Sequence, residues 1–316
     1  MRTEVKLGLT LGFILLSACA SKEPVKKFAT TTDDFVKSFN GFASKAKSTC
    51  QLKYKYMELD KGKNYNGDPD AGEFKKECDG YDSSYAVLQV YSNTVSTYAS
   101  SLGKLAGLKS DVFNDEIDNV SGQLGKLKAS GGETVDEKAV AAATKLIKSA
   151  AESVTGVIVD SKIKKELKSN HDDLVIVIGD MKRFANKIYS KNLHVADNYT
   201  ESVLEQLKKL SYVPGGKDQF TTILASGTEK KKIEDALGAR LPYRMLQAEM
   251  YKDKLLIAQE NKALTAFMNS CDALVKAHKD LRDDFGELSD KEMLEKIKEF
   301  YEKVKDAREN FIVLHS

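Results

Sequence analysis

Residues 242–286 read PYRMLQAEMYKDKLLIAQENKALTAFMNSCDALVKAHKDLRDDFG, and this stretch decides the fold. Tyr243, Leu246, Met250, Ile257, Leu264, Phe267, Cys271, Leu274, His278, Leu281 and Phe285 recur in alternating steps of three and four. That rhythm returns to one face of a 3.6-residue helix. Only Asp253 and Glu260 interrupt the stripe. No glycine or proline intervenes before Gly286, so the spacing predicts one long helix. Pro242 suits its first position and Gly286 its C-terminal cap.

The same period extends in both directions. Downstream, Ser289 and Glu292 form a capping box. Met293, Ile297, Phe300, Val304, Ala307, Phe311 and Leu314 then stripe a last helix. Upstream, Pro214-Gly215-Gly216 ends a helix expected over 195–210, and short helices are expected around 219–225 and 229–237. Between Glu137 and Tyr189 two stripes occur: Leu146, Ala150, Val154, Val157, and Ile163, Leu167, Leu174, Val177, Met181, Phe184, Ile188. The second stripe keeps phase through Asn170, yet Ser169 and Asp172 sit at cap spacing, so a break is expected near Ser169. The β-branched runs Val157–Val159 and Val175–Ile178 suit strands, but both lie inside helical periods and read as heavily buried helix faces.

Gly131-Gly132 breaks the chain ahead of a capping box at Thr134 and Glu137. Earlier stripes run Leu88, Tyr91, Val95, Tyr98, Leu102, Leu105, and Phe113, Ile117, Val120, Leu124, Leu127. Phe35, Phe39, Phe42 and Ala46 mark a first helix, opened by Thr31 and Asp34 and running to about Glu58. Amphipathic helices need partners to be stable in water. The seven-residue rhythm favours shallow left-handed packing. The expected fold is all-α, an elongated antiparallel helical bundle with long helices. No fixed-period repeat supports a solenoid.

The chain has 316 residues, with 49 Lys and Arg against 47 Asp and Glu, a net charge of +2. No basic stripe marks a nucleic-acid binder. None of His171, His194, His278 and His315 has a metal-binding spacing. His278, on the apolar stripe, reads as a hydrogen-bonded core histidine. His171-Asp172-Asp173 reads as a helix start. The run Asn64–Asp70 lacks the spacing of an EF-hand, although weak calcium binding by the loop stays open. Gly215-Gly216-Lys217 lacks the remainder of a phosphate-binding loop, and Gly-x-Ser-x-Gly is absent. Lys162, Lys164, Lys165 and Lys168, and Lys230–Lys232, read as solvated faces, with anionic lipid or a partner as the sharper alternative. Tyr81, Tyr85, Tyr91 and Tyr98 read as core and near-surface packing. No catalytic, cofactor-binding or metal residue is expected.

The N-terminus carries an address. Arg2 and Lys6 precede an apolar run from Leu7 to Leu16, followed by Leu16-Ser17-Ala18-Cys19. This resembles the lipobox of bacterial lipoproteins. The resemblance implies that residues 1–18 are a signal peptide and that Cys19 is lipidated and becomes the N-terminus. Residues 19–31 then read as a polar tether and 32–316 as the helical domain, with a division into two subdomains near residue 130 as a finer option. Ala20 after the cysteine, instead of Asp, favours the outer membrane by enterobacterial habit. The lipid is the only membrane attachment expected, and the domain is expected to be extracytoplasmic. Disulfides persist there. Cys50 and Cys78 flank a loop rich in Gly, Asn and Asp and are expected to pair, leaving Cys271 a buried thiol; a bridge from Cys271 to either is the rival.

The expected function is a non-enzymatic adaptor, scaffold or binding subunit at the bacterial envelope, with an envelope protein as partner. Two alternatives stand beside it. One is an envelope enzyme or ligand-binding protein with an inter-helix pocket. The other is a membrane-remodelling or pore-forming helical protein that uses the apolar region from Val154 to Ile178.

Overall fold

The computed structural model describes residues 22–60, 73–108, 114–130, 135–154, 160–211 and 230–313. Every described element is a helix: α1 Lys22–Ala43, α2 Ala46–Asp60, α3 Glu73–Leu105, α4 Asn114–Ser130, α5 Glu137–Val154, α6 Asp160–Ala185, α7 Lys191–Ser211, α8 Lys230–Asp284 and α9 Asp290–Val313. A π turn, Asn186–Ser190, joins α6 to α7. No described helix is long and apolar enough to cross a membrane. The lipobox, the loop over 61–72, the run Val157–Val159 and the short helix expected over 219–225 lie outside the described residues.

The chain divides into two compact units, and not near residue 130. The boundaries fall after Ser44, Asp82, Asn186 and Lys262. The first unit holds α1, most of α3, α4 to α6, the C-terminal part of α8, and α9. The second holds α2, the start of α3, α7 and the N-terminal part of α8.

In the first unit, the second half of the α8 stripe is core: Leu264, Phe267, Cys271, Leu274, His278, Leu281 and Phe285 are all buried. α1 runs antiparallel to it. Phe35 and Phe39 stack on Phe267 with centroids 5.6 and 4.2 Å away, while Phe28 meets His278 and Phe300 at the other end, each at 5.7 Å. α3 also runs antiparallel to α1, with Ser92 Oγ donating to Asn40 Oδ1 at 3.0 Å and Ser96 Oγ to Asp33 Oδ1 at 3.2 Å. The two helices come close at Gly103, where an added Cβ would lie 2.8 Å from the Ala29 Cβ.

α1 corrects two expectations. The residues expected to be tether are helical from Lys22 onward, and Thr31 and Asp34 lie inside the helix. Val25, Phe28, Ala29 and Thr32 share one helical face and are buried, and Thr32 Oγ1 donates to the Phe28 carbonyl at 2.8 Å. The helix expected to reach Glu58 stops at Ala43 instead. Ser44 Oγ donates to the Gly41 carbonyl at 2.7 Å, a local bond that competes with the helical ladder.

Other helix ends follow the sequence. Gly286 has φ 83°, in the left-handed region, and the amides of Glu287 and Leu288 return to the Asp284 carbonyl. Ser289 and Glu292 form the capping box, with bonds of 3.0 and 3.4 Å. α5 is capped by Asp136, whose Oδ1 accepts from the Lys138 amide at 2.8 Å. Thr134 lies outside the described residues. Lys162 donates to the last-turn carbonyls of Glu152 and Ser153, at 3.1 and 3.2 Å, so part of the basic patch is a C-terminal cap for α5.

The break expected near Ser169 is absent: α6 is continuous, and His171-Asp172-Asp173 does not start a helix. Ile163, Leu167, Leu174 and Val177 are buried along one face, and Asn170 and His171 take the intervening turn with their own partners. The run Val175–Ile178 is helical but half-buried. Val177 and Ile178 are in the core, whereas Val175 and Ile176 are exposed. Pro242 does not open a helix either, because α8 starts at Lys230 and passes through it, absorbing the short helix expected over 229–237.

In the second unit, Tyr56, Val203, Leu204 and Met250 form a buried cluster, flanked by Leu52, Leu59, Tyr199 and Leu246. The Cys50 and Cys78 sulfurs are 2.08 Å apart, at disulfide distance, with Cα atoms separated by 5.6 Å. Cys271 is buried and unbridged.

Candidate functional site

Two clusters of titratable side chains lie inside the bundle, one in each unit. In the first unit α3, α6 and α8 bring Tyr98, His171 and His278 together. The His278 ring is fully buried, and both its nitrogens are engaged. Nε2 lies 2.9 Å from the Tyr98 hydroxyl, and Nδ1 lies 3.0 Å from Nδ1 of His171. The two imidazoles stack with centroids 5.3 Å apart. The Tyr98 hydroxyl also reaches the Glu166 carbonyl at 3.4 Å. Beside it, Asn170 Nδ2 donates to Ser149 Oγ at 2.7 Å and to Glu166 Oε2 at 2.9 Å, and Ser149 donates to the same carboxylate.

Two proton arrangements satisfy this chain. In one, Tyr98 donates to His278, and His278 donates to His171. In the other, every donor reverses, and Tyr98 donates to the Glu166 carbonyl. Burial, followed by the charges of His171 and Arg282, pushes the His278 pKa down to about 3. Burial, with Arg282 next, also holds His171 below its usual value. The Tyr98 hydroxyl is pushed well up, first by burial and then by Glu166. The chain therefore stays neutral at physiological pH.

Tyr98→Phe is expected to leave His278 Nε2 without its partner and to cost about 1–3 kcal/mol, read by denaturant unfolding. Folded His278 binds its proton only near pH 3, whereas the unfolded residue binds near the ordinary histidine value of about 6.5. Between those values the unfolded state holds more protons, so this histidine removes stability as pH falls below about 6.5. Its ring NMR signals should stay at neutral positions down to about pH 4.

The second cluster uses the two residues that interrupt the α8 stripe. Asp253 Oδ2 accepts from Lys55 Nζ at 2.8 Å and from the Tyr56 hydroxyl at 2.5 Å, and Glu249 Oε1 accepts from the same lysine at 2.5 Å. Burial and the Asp253 carboxylate push the Tyr56 hydroxyl far up. Two turns further, Glu260 is buried and accepts from Thr49 Oγ1 at 2.8 Å. Burial pushes its carboxyl up to about 7, against that hydrogen bond and Lys45. These groups tie α2 to α8.

An open groove of about 570 Å³ lies between α1 and α9 in the first unit. Lys27, Thr31, Asp290 and Tyr301 are among its lining residues, and Lys27 Nζ sits 3.9 Å from the Tyr301 ring centroid. Among the described residues no three His, Cys, Asp or Glu side chains are grouped to hold a metal.

His278 is the hydrogen-bonded core histidine that its stripe position implies. Tyr91 and Tyr98 are fully buried. The parts that sequence reading missed are His171, Asn170 and Glu166. Their signal was present, because Asn170 and His171 occupy the stripe slot between Leu167 and Leu174. Cys19 and the loop over 61–72 lie outside the described residues. The chain matches no protein-family model, no curated protein and no solved structure.

Proposed function

We propose that the protein is a lipid-anchored, extracytoplasmic helical protein of the bacterial envelope, acting as a non-enzymatic adaptor, scaffold or binding subunit. The observation that carries this reading is the Leu16–Cys19 lipobox ahead of a helical body. The character of the internal clusters supports it. Tyr98 and His278 are sealed from solvent and use their polar atoms on each other, so they leave no group for a bound substrate. Asp253 and Glu260 are likewise spent on α2. Cytoplasm-facing reduction would work against a Cys50–Cys78 bridge, which suits an extracytoplasmic address.

A second reading, capture of a small ligand between helices, is favoured by the groove between α1 and α9, whose size falls in the range of ligand sites.

The anchor is tested by fractionation after a high-salt wash. Wild-type protein is expected in the membrane fraction and Cys19→Ser in the soluble fraction. Equal retention of both on washed membranes contradicts the reading.

A further inference from the structure

Over residues 244–262, α8 has two faces of opposite character. All the acidic residues of this stretch are Glu249, Asp253 and Glu260, and all three are engaged with α2 through Lys55, Tyr56 and Thr49. The outward face carries Met245, Tyr251 and Leu255, which are 65%, 51% and 60% exposed and are the most exposed large apolar side chains described. Ala248 and Ala258 lie among them, also exposed. Arg244, Lys252 and Lys262 are exposed on the same face, and none of the three has an ion pair among the described residues. At 100° per residue these eight side chains fall within an arc of about 140°. That arc contains no carboxylate.

A solvated helix face normally mixes both charge signs and keeps large apolar groups few. Here the carboxylates lie outside the arc, with Asp253 and Glu260 turned in on α2 and Glu249 half-exposed but paired with Lys55, and three cations without an ion pair among the described residues flank tyrosine, leucine and methionine. This is the composition of a helix that lies in a membrane interface, with apolar groups at the acyl boundary and cations on phosphates.

We propose that the outward face of α8 is a second membrane contact, which docks on an anionic phospholipid surface. Tyr251, Leu255 and Met245 enter the headgroup–acyl boundary, and Arg244, Lys252 and Lys262 meet lipid phosphates. The contact rests on the envelope address proposed above, which brings a bilayer within reach. One lipid-like anchor holds a protein more durably when a basic patch adds to it, and each cation strengthens binding to an anionic surface about fivefold. The proposal adds a second attachment to the lipid, where the sequence reading expected the lipid alone.

The test uses full-length Cys19→Ser protein, which carries no lipid, and flotation with vesicles. The protein is expected to float with phosphatidylglycerol/phosphatidylcholine vesicles at low salt. It should stay behind with pure phosphatidylcholine and be released from the anionic vesicles at high salt. Arg244→Glu with Lys252→Glu should weaken binding about 25-fold or more, from two cations at about fivefold each. Tyr251→Ser with Leu255→Ser should abolish it while the melting curve holds, because both side chains are exposed. No flotation on anionic vesicles, or equal flotation of the variants, overturns the proposal. So does a dimer in sedimentation that the Tyr251→Ser/Leu255→Ser variant loses, with no vesicle binding, since a second copy then covers the face. Because the probe lacks the lipid, failure here leaves the Cys19 anchor standing, and loss of the anchor leaves this result readable.

Discussion

Phe267→Ala is expected to destabilise the first unit by about 3–5 kcal/mol, the usual cost of emptying a buried phenylalanine site. The ring is fully buried and stacks between Phe35 and Phe39, at 5.6 and 4.2 Å. Alanine removes the transfer energy of the ring and leaves a cavity bounded by two helices held by their own cores. Neither α1 nor α8 can close it without shifting its whole stripe. Denaturant unfolding followed by circular dichroism measures the effect on the first unit's transition, and Phe267→Leu, which keeps most of the side-chain volume, should shift that transition less. A loss below about 1 kcal/mol would mean that α1 does not pack on α8 as described, since surface substitutions fall in that range.

Removing the Cys50–Cys78 link has the second largest expected effect. The bridge closes a loop of sequence separation 28. On the chain-entropy account, a loop of that size stabilises by about 3.5 kcal/mol by restricting the unfolded chain. Cys50→Ser with Cys78→Ser should lower the melting transition of the second unit and leave that of the first in place. Both cysteines belong to the second unit, and Cys271 belongs to the first. Peptide mapping without reductant should recover residues 50 and 78 in one linked fragment. The Cys271 thiol should react with alkylating reagents only on unfolding, because it is buried and burial pushes its pKa well up.

The fold was legible wherever one helix face carries an unbroken apolar rhythm. Leu264 to Phe285 is the clearest case, and its cap at Gly286 was equally plain. Reading failed where polar residues occupy core positions. Asn170 and His171 have the composition of a helix start, yet Asn170 is satisfied by Glu166 one turn before it and by Ser149 on α5, and His171 by His278 on α8, and the last two lie far away in sequence. A cap is a local signal, whereas such partners are tertiary, so the local signal misled.

The start of α1 failed for the opposite reason. Val25, Phe28 and Ala29 are few among lysines and threonines, and only their packing against Gly103, His278 and Phe300 shows that they are core. The two-unit division was invisible because two of its four boundaries run inside α3 and α8, where no composition shift marks them.

Asp253 and Glu260 show how much a broken pattern holds. As interruptions of the stripe they looked like lapses in the rhythm. In the structure they are the residues that join α2 to α8. Their burial also clears acidic charge from the outer face of α8, which is what gives that face its basic and apolar character.

The proposed envelope role stands or falls on lipid at Cys19 as the first residue of the mature chain. Mass spectrometry of the N-terminal peptide, from protein extracted out of envelope membranes, tests it most directly. A peptide beginning at Cys19 is expected, heavier than its sequence by a diacylglyceryl group on sulfur. An unmodified peptide that begins at Met1, or at any residue other than Cys19, would contradict it.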